Sequence, residues 1–245
     1  MAETDDDAAI ASDLHPGAEV LDSLDMPMVE AMETQRAVRR LKTDPVPDEI
    51  LLRLLELSLK APTSSNTQDW SYVVVKDRDQ KRRLARLYRV LYRVFNPITE
   101  KLAARDETAL RNIRPGQWQA EHFEEIPVFV VPCYRRGLMH RSVGWPQISV
   151  SSFYGSVYPA VQNLLLGCRA VGLGASIQTL PIWLVPVAKR VLGLPFNVNP
   201  VCIIPIGWAE GRYGPTRRRP IGEVVHVDRY GNRPFLAEDP TGSRP

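Results

Sequence analysis

The sequence predicts a helix-rich α+β fold with one modest sheet, and three observations lead there. Apolar residues recur at helical spacing over long stretches, as at Ile50, Leu54 and Leu57 and again at Val157, Val161, Leu164, Leu165 and Cys168. Between these stretches lie short β-branched runs at 71–75, 127–133 and 201–206. No simple internal repeat organises them. At 245 residues the chain has enough apolar surface for one large core, so one main domain is expected.

Taken in order, residues 1–24 are acidic and rich in small residues, with little to bury, and read as a disordered or loosely docked tail. A first helix covers Met28 to about Arg36. Pro45-Val46-Pro47-Asp48 starts a second, with Asp48 near its positive end. Leu51, Leu55 and Leu59 widen that helix's apolar face until it reads as buried almost all round. A strand at 71–75 precedes a basic helix from about Asp79 to Phe95. Residues 97–123 look helical but interrupted at Pro115-Gly116, and a central strand occupies 127–133. Residues 134–152 carry Gly137, Gly144, Pro146 and scattered aromatics and read as a long surface excursion. A helix from about Phe153 to Val171 ends at Gly172-Leu173-Gly174, where glycine supplies a left-handed stop. Short strands follow at 175–179 and 201–206, with a helix at about 186–192 between them. In the 97–152 region Trp118, Phe123, Tyr134 and Trp145 are candidates either to close over a planar ligand or to anchor the excursion to the core.

Charge is unevenly spread. Ten acidic residues and no Lys or Arg precede Arg36, leaving 31 basic against 18 acidic residues in the remainder. A basic body favours an anionic partner such as a phosphate-bearing cofactor. The basic residues are dispersed and form no nucleic-acid-binding motif, so nucleic acid is not the expected partner. Cys133, Cys168 and Cys202 each sit in an apolar run without pair spacing, pointing to buried, reduced thiols. The N-terminus has no positive flank or apolar core of a secretory signal, and no apolar stretch is long enough to span a bilayer. A cytoplasmic protein with no membrane partner is expected.

Three segments carry the functional signal. The first is Ala61-Pro62-Thr63-Ser64-Ser65-Asn66-Thr67-Gln68-Asp69-Trp70, joining a helix to a strand. Pro62 stops the helix, and the polar tip on rigid supports suits a flat, polar-edged ligand such as a flavin ring. An ordinary capped turn would use the same residue types. The second is Glu33-Thr34-Gln35-Arg36-Ala37-Val38-Arg39-Arg40-Leu41. Arg36 and Arg39 fall near one another, and guanidinium groups bind phosphate oxygens in pairs. The third is Gly207-Trp208-Ala209-Glu210-Gly211-Arg212 with Arg217-Arg218-Arg219-Pro220, which is either an anion anchor or a solvated charge patch.

In this order and spacing, from about Met32 to about Glu223, the segments resemble the nitroreductase family of FMN-dependent oxidoreductases. The resemblance implies a helix-rich sandwich around one central, mostly antiparallel sheet, dimeric, with residues 25–223 as the FMN-binding domain. It also implies a C-terminal arm, 224–245, that crosses to the partner subunit, a frayed terminus being the other reading of those residues. FMN contacts carry over to Arg36, Ala37, Arg39 and Arg218. They carry over to Pro62, Thr63, Ser64 and Asn66, which serve the other subunit's flavin, and to Thr179 and Leu180, whose backbone meets flavin N5. The chain departs from the family pattern at Gln35, where Arg is common, at Ala37, where Ser is common, and at Asp69, where Pro is usual. The implied activity is ping-pong hydride transfer from NADH or NADPH through FMN to a small planar nitroaromatic or quinone-like acceptor, the cofactor carrying the chemistry and no side chain acting as acid or base. Reductive dehalogenation, flavin fragmentation and non-catalytic flavin binding or sensing are the alternatives on this fold. His15, His122, His140 and His226 lack metal-ligand spacing. No G-x-S-x-G elbow and no G-x-G-x-x-G after a strand occurs, so no hydrolase triad or Rossmann site is expected.

Overall fold

A computed structural model of the chain describes residues 20–21, 23–104, 107–135 and 146–236. Seven α-helices are described: α1 (Met28–Thr34), α2 (Asp48–Ser58), α3 (Arg78–Ala103), α4 (Glu107–Glu121), α5 (Pro146–Ala170), α6 (Val185–Leu192) and α7 (Ile221–Val224). The strands are β1 (Trp70–Val75), β2 (Val128–Arg135), β3 (Leu173–Ala175), β4 (Val198–Pro200) and β5 (Ile204–Trp208).

The strands form one sheet in the order β1-β2-β5-β3, with β4 also on β2, and every strand pair is antiparallel. β2 is the centre, and it is buried on both faces, as an unbroken run of apolar residues requires. Alternation divides its side chains between two cores. Val128 and Val130 join Leu51, Leu54, Val161 and Leu164 from α2 and α5. Phe129, Val131 and Cys133 join Leu84, Tyr88 and Phe123 on the opposite face, beneath α3 and α4. The α+β sandwich expected from the sequence is the architecture found.

Several elements differ from expectation, each for a local reason. α1 ends at Thr34, so Arg36 and Arg39 lie on extended chain, not on one helical face. α2 is buried along one side only, with Leu52 exposed on the other and Leu59, just past its end, exposed as well. α3 runs through Pro97 to Ala103, and α4 runs through Pro115-Gly116. Packing overrides propensity there: the Tyr92 hydroxyl donates to the Ile113 carbonyl and lies over Gly116, where a side chain would press on it. β2 extends to Arg135, and α5 already runs from Pro146, ahead of the expected start at Phe153, with no breaker between Pro146 and Ser152. Of the expected excursion, residues 136–145, including Trp145, lie outside the described residues. Gly172, at φ 76°, reverses the chain in a single residue, so β3 starts at Leu173 and ends at Ala175. β4 was not foreseen, and β5 begins at Ile204, not at Val201.

Buried Lys81 ties α3 to the turn entering β2, its ammonium donating to the carbonyls of Ile126 (2.7 Å) and Pro127 (3.3 Å). All three cysteines are buried, free thiols whose pKa burial pushes up to about 12. They are therefore poor nucleophiles. Among the described residues no helix is long and apolar enough to cross a membrane.

Candidate functional site

The segment after α1 is stitched to the β3 edge of the sheet. Ala37 bridges Ala175 in parallel, Val38 N–H donates to the Ala175 carbonyl (3.0 Å), and Lys42 N–H donates to that of Trp208 (2.8 Å). Val38 and Leu41 pack onto Gly174, where a Cβ would collide with both side chains. This pairing fixes the Arg36–Arg39 segment far more firmly than a loop would be held.

Two other candidate segments meet it. Thr216 donates from both its N–H (2.8 Å) and its hydroxyl (3.1 Å) to the Glu33 carbonyl, which brings Arg217 and Arg218 beside the chain entering Arg36. At the other end of the segment, half-buried Arg39 lies near the Tyr88 and Tyr92 hydroxyls. Burial pushes both phenols above their ordinary range, and the Arg39 charge opposes it. The Tyr88 hydroxyl in turn donates to Gln178 Oε1 (3.0 Å), one residue before Thr179. Among the described residues no carboxylate pairs with Arg36, Arg39 or Arg218. The N–H groups of Thr179 and Leu180 likewise have no acceptor among the described residues. Arg218 Nη1 donates to the Arg217 carbonyl (2.8 Å). Guanidinium groups without a carboxylate at one end and free backbone donors at the other are what a phosphate-tailed flat ring would engage.

The loop at 62–70 stands apart. Ser64–Asn66 forms a single 3₁₀ turn fastened to α5: Ser64 N–H donates to Ser156 Oγ (3.1 Å), and Ser152 Oγ donates to Ser64 Oγ (3.3 Å). Ser65, Asn66 and Gln68 all have left-handed backbone, at φ 50°, 53° and 50°. Such conformations in non-glycine residues gather where a ligand or partner is gripped. Pro62, Ser64 and Asn66 are exposed and Thr63 is half-buried.

Sheet register gives the separation. Trp70 pairs with Tyr134 at one end of β2, while Ala37 lies level with Val128 at the other end through Ala175 and Ile206. Strand spacing then puts the two about four strands, ~19 Å, across and six residues, ~20 Å, along the sheet. The loop is strapped to α5 on one face, whereas Arg39 faces α3 on the other. Of the sequence candidates, Arg36, Ala37, Arg39, Thr179, Leu180 and Arg218 are therefore brought together. Pro62, Thr63, Ser64 and Asn66 occupy the diagonal corner.

Sequence reasoning missed the buried polar cluster of Tyr88, Gln119, Ser176 and Gln178 that lies beneath Thr179. Its signal was faint, since Gln119 lies among Gln117, Glu121 and His122 in the sequence and Gln178 lies between Ile177 and Thr179. A cleft of about 450 Å³ opens beside Thr179, lined among others by Tyr154, Tyr158, Trp183 and Val201. Of the aromatics at 97–152, Phe123 and Tyr134 are core residues, and half-buried Trp118 stacks on His122 at 4.3 Å with Arg40 over its ring.

The Nitroreductase family model matches residues 32–208. A "NADH dehydrogenase" of Thermus thermophilus is 29% identical over 200 residues, covering 78% of this chain and 91% of that protein. Iodotyrosine deiodinase 1 of Rattus norvegicus is 24% identical over 204 residues, covering 81% of this chain and 68% of that protein. The chain spans only 61–68% of the length of the mammalian deiodinases that it matches. Among solved structures, iodotyrosine deiodinase bound to FMN and 3-iodo-L-tyrosine superposes with a TM-score of 0.62 at 20% identity, covering 83% of this chain and 100% of that one. A BluB-like flavoprotein from Clostridium difficile 630 gives 0.64 at 18% identity, over 83% and 100%. These structural likenesses speak to the fold.

Proposed function

Since the chain belongs to the nitroreductase family, we propose that it is a homodimeric FMN-dependent oxidoreductase that takes hydride from NADH or NADPH and delivers it to a small planar nitroaromatic or quinone-like acceptor. The observation that carries the reading is the convergence of Arg36, Arg39 and Arg218, none of them paired with a carboxylate among the described residues, with the free N–H groups of Thr179 and Leu180. FMN, when bound, would supply the hydride chemistry. The chain's task is to hold it, orient it and keep water from its reactive face.

Arg36 and Arg218 would take the phosphate, and Ala37, clamped to Ala175, keeps their spacing. Arg39, whose charge acts on Tyr88 and Tyr92, would face the ring end, where Thr179 and Leu180 offer their N–H groups. The hydroxyl lost at Ala37 leaves the phosphate more dependent on the arginines. Ser64 and Asn66 cannot reach this site from their own corner. They complete it only from a second copy, which is the support for a dimer with shared sites. The 224–245 arm is a further candidate for that interface. Its described part folds back on its own chain, with Gly222 beneath the backbone of Phe235 and Leu236.

Titration of the apoprotein with FMN tests the reading: the wild type binds and turns yellow. Arg39→Ala and Arg218→Ala each weaken FMN by about 1.5–3 kcal/mol, the worth of a charge-assisted hydrogen bond. Colourless protein that fails to take up FMN sinks the proposal, and unchanged affinity in both variants reassigns those arginines to a solvated patch. Reductive dehalogenation is the second reading, supported by the similarity to iodotyrosine deiodinases over most of this chain. Iodide release from 3-iodotyrosine, set against quinone reduction under the same donor, separates the two.

A further inference from the structure

Gln178 is held at five points. Its N–H donates to the Ile203 carbonyl (2.8 Å), and its carbonyl accepts from Ile203 N–H (2.7 Å). Its side-chain oxygen accepts from the Tyr88 hydroxyl (3.0 Å), while its amide nitrogen donates to Gln119 Oε1 (2.5 Å) and Ser176 Oγ (3.2 Å). Gln119 closes the ring by donating to Ser176 Oγ (3.2 Å). All four residues are at most 9% exposed, and they join α3, α4 and the chain after β3.

Burying four polar side chains is costly unless each is satisfied, and an apolar set of equal volume would be no less stable. A closed network does something an apolar core cannot: it fixes position as well as volume. The residue it fixes directly precedes Thr179 and Leu180, and the charge of Arg39 acts on its Tyr88 arm. Resting on the cofactor reading above, we propose that Gln178 is a positioning residue for the flavin ring. Tyr88, Gln119 and Ser176 hold it so that the Thr179 and Leu180 N–H groups and Arg39 are aimed at the ring before it arrives.

The position of the network makes the idea separable from phosphate binding. It lies at the ring end, remote from Arg218, so its loss should weaken riboflavin and FMN alike. Tyr88→Phe, which keeps the packing and removes one donor, and Gln178→Leu are titrated with both ligands beside the wild type and Arg218→Ala. Both network variants are expected to bind FMN and riboflavin about tenfold more weakly, with the ratio of the two affinities unchanged. Arg218→Ala should lower FMN affinity alone. The midpoint potential of flavin bound to Tyr88→Phe should also move, which a role in core stability alone would not produce. If Tyr88→Phe melts at lower temperature yet binds both ligands with wild-type affinity, the network is only core and the proposal falls. The proposal falls equally if FMN alone is weakened in the network variants. Wild-type protein that binds neither ligand overturns the cofactor reading, and this inference with it.

Discussion

Two variants that each fail to hold FMN are expected to regain it when combined. The first, Ser64→Ala with Asn66→Ala, removes the loop's donors, and the second, Arg36→Ala with Arg218→Ala, removes the cations. In a shared-site dimer the first retains good arginines and the second a good loop, so the mixed dimer contains one intact site. Random pairing makes half of the dimers mixed, so about a quarter of all sites should be restored. Co-expression followed by measurement of flavin per chain reads this directly. The expectation comes from the sheet register, which puts the loop at the Tyr134 end of β1 and the arginines level with Val128, beyond β3. No recovery in the mixture, or flavin retained at full strength by a monomer, would mean that the loop and the arginines serve different purposes.

Truncating Phe123 is expected to cause the largest loss of stability. Its ring is fully buried, stacked on Phe129 at 4.3 Å and edge-on to Tyr88 at 4.9 Å, so it joins the central strand to α3. Phe123→Ala should cost about 3–5 kcal/mol, combining lost burial with a cavity that rigid neighbours cannot collapse. Urea denaturation measures it, and a loss below about 1 kcal/mol would contradict this packing. Because Tyr88 also holds Gln178, the variant should lose flavin affinity along with stability. Trp118→Ala, at a half-buried ring, should cost clearly less.

What the sequence revealed follows from what is local. A continuous apolar run marks a strand buried on both faces, as in β2, and the β-branched 72–75 run marked half-buried β1, so both were legible to within two residues. Helix α5 was legible through its Val157–Cys168 stripe, but its start at Pro146 was not. Aromatic and glycine residues around 134–152 resemble those of a loop until the strand pairing of Tyr134 is known. Likewise Pro97 and Pro115 read as breaks because a propensity says nothing of the neighbouring helix that compensates for them. The arginines, the 62–70 loop and Thr179 stood out by resemblance. Which of them share a corner is a matter of register, and no single segment contains it. The network under Thr179 was hidden more deeply, since Tyr88, Gln119 and Gln178 come from three distant stretches.

The left-handed run at Ser65, Asn66 and Gln68 has a consequence for how this protein can change. Each such residue costs roughly 1–3 kcal/mol relative to relaxed backbone, and glycine would relieve most of it. A thermostability screen run without cofactor should therefore enrich glycine at these three positions. The survivors would be hardier proteins with a slack loop and weaker flavin retention, and sequencing them alongside a flavin assay exposes the exchange.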